Sequence, residues 1–371
     1  MHLKTMKNNF IGIMTGTSVD AIDIAELFIN EEECKLLNAK SFQFPEKMKN
    51  KILEISRNKT DPDNFQISSL SDELAYIYAE SIDAFIYESN IDRENINAVG
   101  LHGQTISHQP DEISPKSIQI GNGEIVAQET GLVVVNDFRS ADILAGGQGA
   151  PLAPLFHNRF FGKKDITRAV INIGGIANIT VIGSNLMGYD IGPGNVLMDS
   201  WSKEKIGADY DERGKWAETG CLNQELFDRL MKEEFIQKSP PKSSGTDYFN
   251  IDWIKEKLKQ MDDHICDVDI QRTLAEFTAA IIAKAINNLN GVKEVAICGG
   301  GSKNKLLMDL IKKNVSSEMV TTDFWGMHPD WVEAAGFAYL AYLRINGLSI
   351  DMSAITGSKG EIKLGNIQRP N

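Results

Sequence analysis

The stretch IGIMTGTSVDAID (11–23) sets Gly16, Thr17 and Ser18 between apolar runs and follows them with Asp20 and Asp23. Such a turn offers main-chain N–H groups and hydroxyls, and glycine lets the backbone come close to a phosphate. Two carboxylates beside it would repel that phosphate unless a cation stood between them. Two more glycine turns have the same setting, each directly after an apolar run: NIGGIAN (172–178), with Gly174 and Gly175, and CGGGSKN (298–304), with Gly299, Gly300 and Gly301. Ligands of α/β sheets gather at the carboxyl ends of strands. Any one of these segments reads equally well as a bare turn. Three of them, spread over both halves of the chain, point to a phosphate-bearing ligand. GYDIGPGNVLMDSW (188–201) is expected to end a strand in Asp190 and to fix it with Gly192-Pro193-Gly194. A carboxylate held there can act as a general base toward a water or hydroxyl. It can equally cap a helix starting near Asn195.

Other signatures are missing. No G-x-x-x-x-G-K-[ST] occurs, no G-x-G-x-x-G follows a strand, and neither H-E-x-x-H nor G-x-S-x-G is present.

The elements that must carry these turns follow from periodicity. Residues 9–15 and 22–29 read as two strands joined in a hairpin, and 46–92 as helices with apolar residues at helical spacing. Buried strands are expected at 95–104 and at 131–137, where GLVVVND is rich in β-branched residues. Segment 138–154 is dense in glycine and proline and is expected to be a loop without helix. Strands then recur at 168–175, 177–183 and 185–192, and PPKSSGTDYFN (240–250) reads as a proline-rich connector. A helix at 273–291, a strand and glycine turn at 293–301, and helices at 304–314 and 331–347 complete the pattern. Strands then helices, twice over, predict two α/β domains with a ligand cleft between them.

Bulk composition narrows the partners. The 371 residues are 42% hydrophobic, an ordinary globular value for about two domains. Lys+Arg 38 against Asp+Glu 51 gives −13, which argues against nucleic acid or anionic membrane as the main partner. Cys34, Cys221, Cys266 and Cys298 form no zinc-type spacing and suit reduced thiols. The N-terminal residues lack a signal-peptide pattern, and no apolar run reaches the ~18 residues of a membrane span, so a cytoplasmic protein is expected.

The order of the three glycine turns matches the actin-like fold of sugar kinases and Hsp70-type ATPases. More specifically, the chain resembles the anhydro-N-acetylmuramic acid kinases. The segments that carry the likeness are GTSVDAID (16–23), GLHGQT (100–105), NDFRSADILAGGQGAPLAP (136–154), NIGGIANIT (172–180), DIGPGN (190–195), PPKSSGTDYFN (240–250), GGGSKN (299–304) and DWVEAAGFAYLA (330–341). The resemblance implies a two-domain actin-like, ribonuclease H-like α/β fold with an interdomain cleft. The first domain would be 1–137 completed by 346–371, and the second 138–345. It implies a cytoplasmic homodimer that uses ATP and Mg²⁺ on a small anhydro amino sugar in cell-wall recycling. ATP would lie against Gly16, Thr17, Ser18, Val19, Asp20, Ala21, Ile22 and Asp23, and against the turns at Gly174–Gly175 and Gly299–Gly301, with Asp190 as catalytic base. Two positions depart from the family pattern: Ala21 where glycine is usual, and Ile191 where threonine is usual.

The implied reaction opens the 1,6-anhydro bridge with water and phosphorylates the freed O6. Asp190 would accept the proton of the attacking water, and the cleft would have to close to exclude bulk water. Asp20 or Asp23 would orient waters on Mg²⁺, or else serve as turn and cap residues. His102, Arg139 and Asp142 form the candidate substrate set. Arg139 suits the lactyl carboxylate through its bidentate geometry, unless it braces its loop by pairing with Asp137 or Asp142. His102 either donates to a sugar hydroxyl or is a structural histidine at a strand end, and Glu333 reads as a helix-surface or capping residue. The competing readings are a kinase of another anhydro-sugar such as levoglucosan, and a nucleotide-gated binding protein of the actin or Hsp70 type.

Overall fold

In the computed structural model, which describes residues 8–16, 19–57, 64–109 and 116–371, the apolar run before the first glycine turn is strand β1 (Asn9–Thr15). It pairs antiparallel with β2 (Ala21–Ile29), which pairs with β3 (Cys34–Gln43). Helices α1 (Glu46–Arg57) and α2 (Asn64–Glu88) lead to β4 (Ile96–Leu101), parallel to β1. Next come a second hairpin, β5 (Gln104–Gln109) with β6 (Lys116–Ile120), then α3 (Gly123–Thr130) and β7 (Val134–Asn136), parallel to β4. The strand order is β3-β2-β1-β4-β7.

Segment 138–154 is not the bare loop expected. It contains α4 (Ser140–Leu144) and the start of α5 (Ala153–Phe161). The glycines of this segment begin only at Gly146, so SADIL before them is free to coil, and Asp137 at φ 54 starts it by accepting from the Ser140 hydroxyl at 2.6 Å.

The order then repeats. Strands β8 (Arg168–Ile173), β9 (Ile176–Ile182) and β10 (Met187–Pro193) form an antiparallel meander. Helices α6 (Val196–Ile206), α7 (Lys215–Glu218), α8 (Gln224–Met231), α9 (Glu234–Gln237), α10 (Ile251–Leu258) and α11 (Asp267–Asn287) follow. Then β11 (Glu294–Cys298) joins parallel to β8, and after α12 (Lys305–Asn314) β12 (Met319–Thr321) joins parallel to β11. The order β10-β9-β8-β11-β12 is that of the first sheet, three antiparallel strands followed by two parallel ones. This duplicated arrangement is the actin-like, ribonuclease H-like architecture.

The chain ends with α13 (Val332–Ile345), a short pair β13 (Ile350–Asp351) with β14 (Glu361–Ile362), and β15 (Asn366–Gln368), which adds antiparallel to β7. Two compact units result, 1–160 with 331–371, and 161–330. The boundaries expected from the sequence were 137 and 345. Helix α13 packs on the first sheet, and α4, α13 and all of α5 but Phe161 belong to the first unit.

The reason lies in two glycines. Odd residues of β1 face α2, where Ile11 and Ile13 join Leu74, Tyr78, Ile82 and Phe85 in one core. Gly12 and, in β4, Gly100 face the other way, onto the main chain of α13. A Cβ built on Gly12 would lie 1.9 Å from the Ala334 carbonyl oxygen, and one on Gly100 would lie 2.0 Å from that of Phe337. In the second unit α11 is the central helix, with Leu274, Phe277, Ile281 and Ile282 packed into the core that holds Ile171, Ile173 and Ile179.

Candidate active site

In the first unit the expected residues meet at the carboxyl ends of the parallel strands β1, β4 and β7. The Val19 N–H donates to the Gly16 carbonyl at 3.0 Å and closes the turn, with Val19 buried at φ 54, a backbone state that β-branched residues rarely adopt. Thr17 and Ser18 lie outside the described residues. Asp20 is ion-paired with Lys49, and Asp23 accepts the Ser41 hydroxyl. Ala21, Ile22 and Asp23 are strand residues of β2, paired with β3, and the Ile22 side chain is core. These three therefore lie in the strand that follows the Gly16–Val19 hydrogen bond. Beneath the turn the Thr15 hydroxyl shares a 2.6 Å hydrogen bond with Tyr78.

His102 follows β4 directly and is 6% exposed. Arg139 Nη2 is 3.0 Å from its Nε2, and Arg139 Nη1 donates to the Gly149 carbonyl at 2.8 Å. A guanidinium only donates, so Nε2 is the acceptor and the imidazole proton is on Nδ1. Burial and the Arg139 charge both push the His102 pKa well below the ordinary histidine range, so the ring is neutral. Its Nδ1 is buried beside the Gly103 main chain, which acts on the ring in the opposite sense to burial and Arg139. A pocket of about 230 Å³ lies there, lined by His102, Ser117, Gln119, Asn136, Asp137 and Ser140 among others.

Asp142, a candidate for the substrate set, is turned into the protein and held by its own chain. It is 0% exposed; one carboxylate oxygen accepts the Gly149 N–H at 2.7 Å and the other the Thr356 hydroxyl at 2.6 Å. Its task is to fold loop 142–149 under Arg139 and to moor it to the chain's far end, where the Gln148 N–H also donates to the Thr356 carbonyl at 3.0 Å. Glu333 stands in the first turn of α13, where a carboxylate complements the helix dipole.

In the second unit the other two glycine turns meet at the carboxyl ends of parallel β8 and β11, where Asn172 pairs with Cys298. The Gly174 carbonyl accepts from the Asn195 N–H at 2.8 Å and that of Gly175 from the Gly194 N–H at 2.8 Å, which pins the hairpin to the start of α6. Asn195 Nδ2 reaches the Ile173 carbonyl at 3.3 Å, and a Cβ on Gly301 would lie 3.1 Å from Asn195 Oδ1. Asn195 thereby joins the two turns. Gly299 has φ 79, and a Cβ on it would meet Asn172 Oδ1 at 2.3 Å, so only glycine fits.

Asp190 does not end its strand, as expected, but sits within β10, opposite Asn178 and just before a bulge that leaves Ile191 out of the ladder. It is 5% exposed and its Oδ2 accepts the Ser244 N–H at 3.0 Å, whereas α6 starts at Val196 without a side-chain cap. The helix-cap reading of Asp190 thus finds no support. The connector expected at 240–250 does more than connect: Lys242 and Ser243 are buried and Lys242 holds the Asp190 N–H through its carbonyl at 3.0 Å. A lysine in a Pro-Pro-Lys-Ser-Ser run carries no local signal of burial, so reading the residue types alone passes over it. A larger hollow of about 320 Å³, among Leu222, Phe227, Glu276 and Lys284, contains none of these residues.

The sequence profile of the family described as anhydro-N-acetylmuramic acid kinase matches residues 8–370. The chain belongs to that family. Among its relatives, the anhydro-N-acetylmuramic acid kinase of Photobacterium profundum is 38% identical over 370 residues, covering 96% of this chain and 98% of the relative. That of Sulfurimonas denitrificans is 38% identical over 369 residues, with 98% and 100% covered. Among solved structures, the ADPNP-bound activator of 2-hydroxyisocaproyl-CoA dehydratase from Clostridium difficile is similar with a TM-score of 0.44 and 14% identity, covering 91% of this chain and 96% of the other.

Proposed function

We propose that this kinase uses ATP to open 1,6-anhydro-N-acetylmuramic acid and phosphorylate O6, giving N-acetylmuramic acid 6-phosphate for cell-wall recycling. The observation that carries the reading is the family match across residues 8–370, with Asp190 buried and held by a main-chain N–H inside that family's D-x-G-P-G-N motif. Water attacks the anomeric carbon and Asp190 takes its proton. The C1–O6 bond breaks, and O6 forms a bond to the γ-phosphorus as the γ–β bridge of ATP breaks, releasing ADP. Such a transfer needs alignment and charge neutralisation more than covalent help.

Gly16 to Asp20 are assigned to the phosphates and Gly299–Gly301 to the nucleoside, the latter on the family resemblance. Mg²⁺, when bound, supplies charge neutralisation at the transferring phosphoryl group. Among the described residues no cluster of three or more His, Cys, Asp or Glu side chains forms a metal cage. That suits an ion held mainly by phosphate and water, with Asp20 and Asp23 as the carboxylates nearest the turn to orient those waters. His102 and Arg139 are assigned to the sugar, the neutral imidazole donating from Nδ1 and the guanidinium facing the lactyl carboxylate. A cytoplasmic homodimer acting on a small amino sugar, with no nucleic-acid or membrane partner, is part of the same proposal, and its acidic charge supports the last two points.

The decisive assay supplies ATP, Mg²⁺ and 1,6-anhydro-N-acetylmuramic acid. A reducing, 6-phosphorylated sugar is expected, and phosphorylation of levoglucosan instead would overturn the substrate assignment. Arg139→Lys is expected to raise KM for the sugar by about 10–100-fold while KM for ATP stays, because an ammonium cannot reproduce the bidentate pair. Initial-rate kinetics in each substrate checks this, and an unchanged sugar KM removes Arg139 from carboxylate recognition.

A further inference from the structure

Strand β10 is the edge of its sheet, so its outward main-chain groups need partners from elsewhere. The connector supplies them at one residue. The Asp190 N–H donates to the Lys242 carbonyl at 3.0 Å, and the Ser244 N–H donates to Asp190 Oδ2 at 3.0 Å. The Lys242 side chain turns inward and is 6% exposed. Its Nζ donates to the Phe235 carbonyl of α9 at 2.9 Å and stands 4.6 Å from the centroid of the Phe235 ring. The next residue of α9 abuts the bulge after Asp190, since a Cβ on Gly192 would lie 2.7 Å from Ile236 Cδ1. Lys242 thus ties the connector to the same short helix that packs on the strand.

A methionine would fill much of this space without the desolvation cost of a buried ammonium. The charge therefore calls for a reason. The charged groups that act on it are Asp190 on β10, which favours the protonated amine, and Lys238 after α9 and Lys284 on α11, which oppose it. Burial, the largest influence, brings the Lys242 pKa down to about 8.

We propose that Lys242 is a positioning residue for the catalytic carboxylate: its ammonium anchors the 242–244 main chain on Asp190 and keeps positive charge beside it, so that the base stays aimed and ionised. This rests on the reading of Asp190 as base.

The test is the pH dependence of kcat/KM for the anhydro-sugar in the full-length enzyme with ATP and Mg²⁺, for the unaltered protein, Lys242→Met, Lys242→Arg and Asp190→Asn. In Lys242→Met the acid limb is expected to move up by about 0.5–1 pH unit and kcat to fall about 10-fold, with KM for ATP within about 2-fold. In the unaltered enzyme activity should decline above about pH 8. In Lys242→Arg that decline should vanish, because a guanidinium keeps its proton. An acid limb unmoved in Lys242→Met, with or without a lower melting temperature, would mean a merely structural lysine and overturn the proposal. If the methionine variant does not fold, the arginine variant decides, and an alkaline decline left in place there is equally fatal. Full turnover in Asp190→Asn would instead overturn the base reading, and this proposal with it; an inactive Asp190→Asn beside an unmoved limb overturns this proposal alone.

Discussion

Asp190→Asn should lower kcat by about 10²–10⁴-fold while ATP binds as before. The amide can still accept the Ser244 N–H that now reaches Oδ2 at 3.0 Å, so the connector keeps its seat and the fold is undisturbed. What the amide cannot do is take a proton from the attacking water. Nucleotide titration by calorimetry and steady-state turnover, measured on one preparation, separate the two properties. Turnover near that of the unaltered enzyme would remove Asp190 from the chemistry.

Gly12→Ala should destabilise the first unit by about 3 kcal/mol. The added methyl would sit 1.9 Å from the Ala334 carbonyl oxygen and 2.4 Å from the Ala338 nitrogen, both main-chain atoms of α13 with no rotamer to give way. The helix must back off the sheet along a line that includes Gly100, where the Phe337 carbonyl oxygen is as near. Gly174→Ala is the matched control. The nearest atom to its Cβ would be the Ile176 carbonyl oxygen at 3.5 Å, an ordinary contact, so stability should hardly change. Thermal unfolding of both variants checks the contrast, and a midpoint for Gly12→Ala equal to the control's would refute the close-packing account.

Much of this architecture was legible because the core strands advertise themselves. VINI and AIC, backed by glycine turns, read as buried strands from composition alone, and the structure has them as β8 and β11. The hairpin of QTISHQ and KSIQI was not legible: both strands are short and polar, with no alternation strong enough to stand out. Domain limits are hard to read because α13, Ala-rich and apolar, declares a buried helix but not the sheet that covers it. At the site, types and spacing single out Asp190, His102 and Arg139 as candidates. They do not report the burial of Asp142, whose partner Thr356 lies 214 positions along the chain, beyond any local pattern. Lys242 was hidden for a similar reason. Its burial is set by α9 and the strand edge, neither of which the connector's own composition reports.

The clasp between Thr356 and Asp142, together with β15 on β7, has a consequence for biosynthesis. The first unit is discontinuous, whereas 161–330 is a single uninterrupted run. A ribosome therefore delivers everything the second unit needs before α13 and the clasp emerge. Loop 142–149, which lies under Arg139, acquires its mooring only once Thr356 has been made, so a polypeptide clipped before that residue leaves the loop without its anchor.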